Sequence, residues 1–395
     1  MKIFIIPSWQ PSDRFPTTGI FFYDQARVLA QQKPDWQIAI SSWGSHDPRL
    51  WSTPLRPLDF FLKRLSKLPI SRKEVLITAN LVEFYNPCLT WTRRFLSGNL
   101  PKIVHANEEN LLKFIAYYGK PDIIHAQVTF PAGYIAEELS KKFKIPFVIT
   151  EHMTPFPMQG VKDVLKKRIM PALHAASKVM VVSQHLKEAL KNHQIDAHLI
   201  PNFIDEKFFN LGESLIQGNQ TILVAVGRLE NQKNYPLLIR AVDKLRHQGV
   251  LVQLKIAGEG TERKKISTLI QRLGLQSKIQ LLGDIDKDSL KLLLHSADRF
   301  VSASLHENMP VAILEALACG LPVITTPWQG ADKMVNSDVS GIAQTFDPKD
   351  FSFAISKSID KEYSKEEIRQ FYLSHYGNEV VINELEGVYQ SVILK

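Results

Sequence analysis

What most constrains this chain is a rhythm: a short apolar, β-branched run, a turn, then a helix-length amphipathic stretch, repeated almost to the end. In the first half the runs fall at 2–6, 36–42, 123–126, 147–150, 179–182 and 198–200, and in the second at 221–226, 252–257, 279–282, 299–302 and 322–325. Most are continuously apolar rather than alternating, the pattern of strands covered on both faces. Between them lie helical stretches such as 20–32, 135–143, 237–248 and 261–273. Strand and helix in alternation predict parallel sheets joined by right-handed crossovers, an α/β fold. At 395 residues the chain is too long for one ordinary core. Pro201-Asn202 and the polar stretch 211–220 interrupt the rhythm, so we expect an N-terminal domain over 1–201 and a C-terminal domain over 202–365. Residues 366–395 read as helix returning toward the first domain. Two doubly wound units with parallel sheets predict a central ligand cleft at the C-terminal ends of the strands.

Composition narrows the class. Hydrophobic residues at 45% and charged residues at 22% describe a globular chain. No apolar run approaches the roughly 18 residues that cross a bilayer. Lys2 is followed only by Ile3-Phe4-Ile5-Ile6 before Pro7, which reads as a buried strand rather than a signal peptide. Two cysteines, Cys88 and Cys319, fit a reducing compartment, and the cytoplasm is the expected address. The net charge of +8 favours phosphates or anionic surfaces. It concentrates in 49–102, where Arg49, Arg56, Lys63, Arg64, Lys67, Arg72, Lys73, Arg93, Arg94 and Lys102 face only Asp59, Glu74 and Glu83. Apolar and aromatic residues interleave these bases. That is how a segment resting on an anionic membrane surface is written, the inner face of the cell membrane here, and an ordinary amphipathic helix pair is the alternative.

Two loops carry the chemistry. After the run at 221–226 comes Gly227-Arg228-Leu229-Glu230-Asn231-Gln232-Lys233-Asn234. A strand end, a glycine permitting close backbone approach and two cations five positions apart suit a diphosphate, Arg228 as a planar fork and Lys233 as a point charge. After the run at 299–302 comes Ser304-Leu305-His306-Glu307-Asn308-Met309-Pro310-Val311, with a helix starting near Met309 or Pro310. Free amides in its first turn suit a phosphate. Glu307 precedes that turn and Glu315 lies inside the helix. A carboxylate accepting from two neighbouring hydroxyls holds a diol, so one glutamate suits a sugar and the other a ribose. Glu315 sits in an otherwise apolar run, where a carboxylate without a partner is costly. Cys319 reads as a buried filler.

Together these elements resemble the family 4 retaining glycosyltransferases of the GT-B fold, of the bacterial polysaccharide-building kind. The resemblance rests on Gly227-Arg228-Leu229 with Lys233-Asn234, Gly258-Glu259-Gly260, the pair Glu307 and Glu315, and the run from Glu315 to Ile324. Ile200-Pro201-Asn202-Phe203-Ile204-Asp205 resembles the interdomain stretch, with Phe203 where glycine is usual. The resemblance implies two Rossmann-like domains and a hexose taken from a UDP- or GDP-sugar to a glycan or lipid-linked saccharide hydroxyl. It implies no cofactor and no metal, the nucleotide-diphosphate sugar being a substrate, and no nucleic acid partner. It assigns Arg228 and Lys233 to the leaving diphosphate, Glu307 to sugar hydroxyls and Glu315 to the ribose. Gly227, Gly258 and the stretch Asn308, Met309, Pro310 and Val311 line the donor. Gly19 resembles the loop glycine whose amide approaches the diphosphate, a plain turn glycine being the alternative.

One departure stands out. Family members commonly carry His-x-His where this chain has His125-Ala126-Gln127, so Gln127, which cannot carry a proton, occupies the place near the anomeric carbon. Retaining members use front-face departure and attack, with the leaving phosphate helping to deprotonate the acceptor; loss of one histidine then slows the reaction without forbidding it. His125 and His152 are candidates for the acceptor or sugar site, although His125 reads better as a satisfied structural histidine. Gln127 motivates a second reading, a catalytically silent partner binding a glycan or another transferase, against which the intact Arg228, Lys233, Glu307 and Glu315 weigh. Phosphorylases and epimerases on the same fold fit the paired glutamates less well. His306-Glu307-Asn308-Met309-Pro310 has proline where a zinc-protease helix needs its second histidine. Asp284-Ile285-Asp286 reads as a helix cap, not a metal motif.

Overall fold

A computed structural model describes residues 1–12, 18–45, 50–52, 72–91, 99–153, 156, 163–212 and 220–394. They cluster into two compact units, one of Met1–Val182, Leu186–Ile200 and Ile382–Lys395, the other of Ser183–His185 and Pro201–Val381.

The first unit is built on β1 (Lys2–Pro7), β2 (Gln37–Ser42), β4 (Lys73–Thr78), β5 (Leu81–Tyr85), β7 (Ile123–Gln127), β8 (Phe147–Glu151), β9 (Lys178–Val181) and β10 (Ala197–Leu199). Their order is β10-β9-β8-β7-β1-β2-β5-β4, while β3 (Trp51–Ser52) and β6 (Thr90–Trp91) pair separately. Phe4, Ile6, Phe84, Phe114, Ile124 and Phe147 share one buried cluster, so the apolar runs are strands because both faces are covered. All pairings in the large sheet are parallel except β4 with β5. The part of this unit contributed by Ile382–Lys395 buries Leu385, Val388 and Tyr389. The second unit holds β11 (Thr221–Val226), β12 (Val252–Ala257), β13 (Ile279–Gly283), β14 (Arg299–Ser302), β15 (Val323–Thr325) and β16 (Ser340–Ile342). They run in the order β13-β12-β11-β14-β15-β16, all parallel.

Each sheet reverses its winding once. In the first the reversal lies between β1 and β7, in the second between β11 and β14. At such a point neighbouring crossovers leave to opposite faces, opening a crevice beyond the carboxyl ends of the two strands. That geometry selects the loops after β1 and β7, and those after β11 and β14, as the places for ligands.

The structure departs from the sequence reading in three places. Within 49–102, the described stretch 72–91 is not a helix pair. Lys73–Thr78 and Leu81–Tyr85 form an antiparallel hairpin, whose Asn80 amide donates to the carbonyls of Ala30, Lys33 and Trp36 at 3.0–3.1 Å. Arg72 there pairs with Glu109 and Lys113 with Glu74, so part of the basic excess is balanced. Arg49, Arg56, Lys63, Arg64, Lys67, Arg93 and Arg94 lie outside the described residues. The helix expected over 366–394 is two helices, Lys365–Tyr376 and Asn378–Ile393. Gly377 breaks them in extended conformation, and a Cβ there would sit 2.3 Å from the Leu373 oxygen. Residues 366–381 consequently stay with the second unit. The helix after β14 starts at Val311, with Pro310 as its cap.

Candidate active site

In the second unit the loop after β11 is held by its neighbours. Gly227 has φ +152°, its N–H donates to the Ala257 oxygen at 3.0 Å, and a Cβ on it would meet the Lys233 stem at 3.0 Å. Its carbonyl accepts from the Tyr235 hydroxyl at 2.9 Å. Glycine therefore serves two ends here, a backbone turn that L-residues avoid and room for the lysine stem. A single 3₁₀ turn, Asn231–Lys233, then delivers Lys233, and Asn234 in left-handed conformation starts the helix Tyr235–His247.

The loop after β14 is stitched to this one. The Leu305 N–H donates to the Gln232 oxygen at 2.8 Å, and the Gln232 amide to the His306 oxygen at 2.8 Å. Between these stitches Lys233 Nζ meets Glu307 Oε1 at 2.5 Å, and the Ser304 hydroxyl donates to the same oxygen at 2.7 Å. Glu307 is buried and Lys233 about a quarter exposed, with side-chain exposures of 8% and 23%. Burial, together with the Glu307 charge, raises the Tyr235 hydroxyl far above its usual range, so Tyr235 stays a neutral donor. Arg228 is exposed beside Gly227.

The remaining candidates of this unit differ in their surroundings. Asn308 is buried, and its Oδ1 faces His185 Nε2 at 2.5 Å and the Ser183 hydroxyl at 3.5 Å. The Met309 carbonyl accepts from Asn202 at 3.1 Å. Pro310 has no N–H, so only Asn308, Met309 and Val311 of that stretch have amides to offer a ligand. Glu315 lies half-buried on the helix Val311–Ala318. Its charge adds to burial in pushing the Cys319 thiol up to about 12, which leaves that thiol inert. Gly258 needs to be glycine for a structural reason: at φ +134° its Cβ would lie 2.1 Å from the Gly227 oxygen. Gly260 likewise abuts the Leu229 oxygen at 2.4 Å. The Gly-Glu-Gly stretch is thus the floor under the Gly227 loop. Asp286 caps its helix by accepting from the Ser289 N–H at 2.7 Å.

In the first unit a second group forms where β7 and β8 end. Gln127 Oε1 and His152 Nε2 lie 2.8 Å apart, a hydrogen bond between the two side chains. Phe21 and Phe22 meet that ring edge to face at 5.4 and 5.3 Å. The fully buried Glu151 accepts from the N–H groups of Thr129, His152 and Met153 at 2.8–2.9 Å and from the Thr129 hydroxyl. Burial raises its pKa against those four bonds. Val128 sits at φ +75°, a strained position for a β-branched residue, and strain of this kind gathers at functional loops. Gly19 at φ +71° abuts the Trp9 oxygen, 2.6 Å from where a Cβ would stand. That contact by itself requires glycine at this turn.

His125 has no face to offer a substrate. It is 3% exposed, with Nδ1 on the Tyr389 hydroxyl at 2.6 Å and Nε2 on the Thr150 hydroxyl at 2.7 Å. Burial lowers its pKa to about 3, and that of His152 also to about 3. Sequence reasoning missed Ser304, Tyr235 and His185. Ser304 had a signal, lying three residues before Glu307. His185 had none, because its partner Asn308 lies 123 positions away, and Tyr235 reads from sequence as an ordinary first residue of a helix.

Residues 80–208 match the family described as Glycosyltransferase Family 4, and residues 206–372 the one described as Glycosyl transferases group 1. The chain is of the family 4 glycosyltransferase type. A putative teichuronic acid biosynthesis glycosyltransferase, TuaC of Bacillus subtilis, is 28% identical over 364 residues, covering 88% of this chain and 83% of its own. Among solved structures, sucrose-phosphate synthase from Thermosynechococcus elongatus has a TM-score of 0.78 at 18% identity, covering 100% of this chain and 99% of its own. HepE of Anabaena, solved with UDP and glucose, has a TM-score of 0.70 at 16% identity over 99% of each chain. These neighbours show the fold, which is GT-B: two α/β domains with parallel sheets. Among the described residues no helix is long and apolar enough to cross a membrane.

Proposed function

We propose that this chain is a retaining hexosyltransferase that takes a sugar from a UDP- or GDP-sugar and gives it to a hydroxyl of a glycan or lipid-linked saccharide, in the building of a polysaccharide. The observation that carries the reading is the Lys233–Glu307 pair, beyond the ends of β11 and β14 where the sheet reverses, with the exposed Arg228 five positions earlier in the same loop. A cationic loop at a reversal point suits a diphosphate. The similarity to a putative teichuronic acid enzyme supports the polysaccharide role.

In this reading the bond between the anomeric carbon and the diphosphate oxygen breaks while the acceptor hydroxyl bonds to the same carbon from the same face. The acceptor proton passes to the departing diphosphate. Arg228 and Lys233 stabilise the charge that develops on that diphosphate, in a site fixed before the reaction starts. Glu307 orients sugar hydroxyls and Glu315 the ribose. Neither a metal nor a cofactor takes part, and the acceptor binds in the first unit, where His152 and Gln127 lie. The work is done on the cytoplasmic side of the cell membrane.

The test is transfer, or donor hydrolysis, by the Arg228→Ala and Lys233→Ala proteins. Removing one preorganised donor of this kind slows turnover about 100- to 1,000-fold. Both variants should show such losses while remaining folded; wild-type rates in either would remove the assignment.

A further inference from the structure

In the free protein the Lys233 ammonium is already engaged. Its partner oxygen on Glu307 is buried, carries a second hydrogen bond from Ser304, and is fixed by loops bonded to one another on both sides. The lysine stem runs along Gly227, where a Cβ would stand 3.0 Å from its Cε. A diphosphate reaching Lys233 therefore meets the ammonium together with a buried carboxylate less than 3 Å from it.

The charges on the two ligands differ. A nucleotide sugar carries one negative charge on each of its two phosphates. Breaking the glycosidic bond leaves a further ionisable oxygen on the terminal phosphate, so the free nucleoside diphosphate is more negative than the donor. A fixed carboxylate at this place repels the product more than the substrate, and its repulsion is little screened because it is buried. It also supplies the ammonium with a replacement partner at the moment the diphosphate leaves.

From this geometry we infer that Glu307 competes with the nucleoside diphosphate for Lys233, weakening its hold and promoting its release. The inference rests on the donor-site reading above and adds to it: the same carboxylate that orients a sugar also sets how tightly the spent nucleotide stays.

The test is calorimetric titration of the full chain with UDP, GDP and ADP, on the wild type, on Glu307→Gln and on Glu307→Ala. The wild type is expected to bind one of the three. Both variants should bind that nucleotide about tenfold more tightly, and a nucleotide sugar with a smaller gain. In the Lys233→Ala background, adding Glu307→Gln should change affinity less than threefold, because the competition runs through the ammonium. Equal or weaker nucleotide binding by both Glu307 variants overturns the inference and leaves the donor site standing. A wild type that binds none of the three nucleotides overturns the donor-site reading and the inference with it.

Discussion

At the scale of single residues, the two histidines of the first sheet act through their neutrality. His125 and His152 both have folded pKa values lowered to about 3 by burial, against an unfolded value of about 6.5. Between those values the unfolded chain binds protons that the folded chain refuses, so stability rises with pH there. Their contribution is complete above about pH 6.5 and is lost as pH falls toward 3. Urea unfolding at pH 7.5 and pH 5.0 should show a lower midpoint at pH 5.0, and His125→Gln should narrow the difference. Identical wild-type midpoints at the two pH values would show that these rings are not held neutral. The same residue scale explains what the sequence hid about the site. Lys233 and Glu307 were legible as separate candidates, but not as partners, since 74 positions separate them and only the pairing of β11 with β14 brings their loops together.

At the scale of elements, the glycines after β11 and β12 are packing devices as much as ligand devices. The Gly258 position lies against the Gly227 carbonyl, which itself steadies the loop carrying Arg228 and Lys233. Gly258→Ala should destabilise the second unit by at least about 2 kcal/mol, by forcing both a left-handed backbone and a backbone clash. Denaturant unfolding checks this, and an unchanged midpoint would mean that the two loops separate freely. The buried parallel strands were readable because strands covered on both faces must be largely apolar, as 222–226 is and as 123–126 is apart from His125. The β4–β5 hairpin was not, because β4 is an exposed edge strand whose Lys73 and Glu74 look like a solvated helix face. The break at Gly377 escaped notice because apolar periodicity continues on both sides of it.

At the scale of the molecule, two parallel sheets each reverse once, and each reversal gathers its own set of polar groups. In the second unit the set is cationic and acidic, Arg228 and Lys233 with Glu307. In the first it is Gln127, His152 and the buried Glu151, beside a strained Val128. In the function proposed here, that difference in chemistry divides the labour between a nucleotide-sugar unit and an acceptor unit. The measurement that bears on it most directly is a crystal structure of the protein with UDP or GDP bound. We predict the diphosphate within hydrogen-bond reach of Lys233 Nζ, with the ammonium turned from Glu307 toward a phosphate oxygen. A nucleotide seated elsewhere, with the Lys233–Glu307 pair undisturbed, would contradict the donor site.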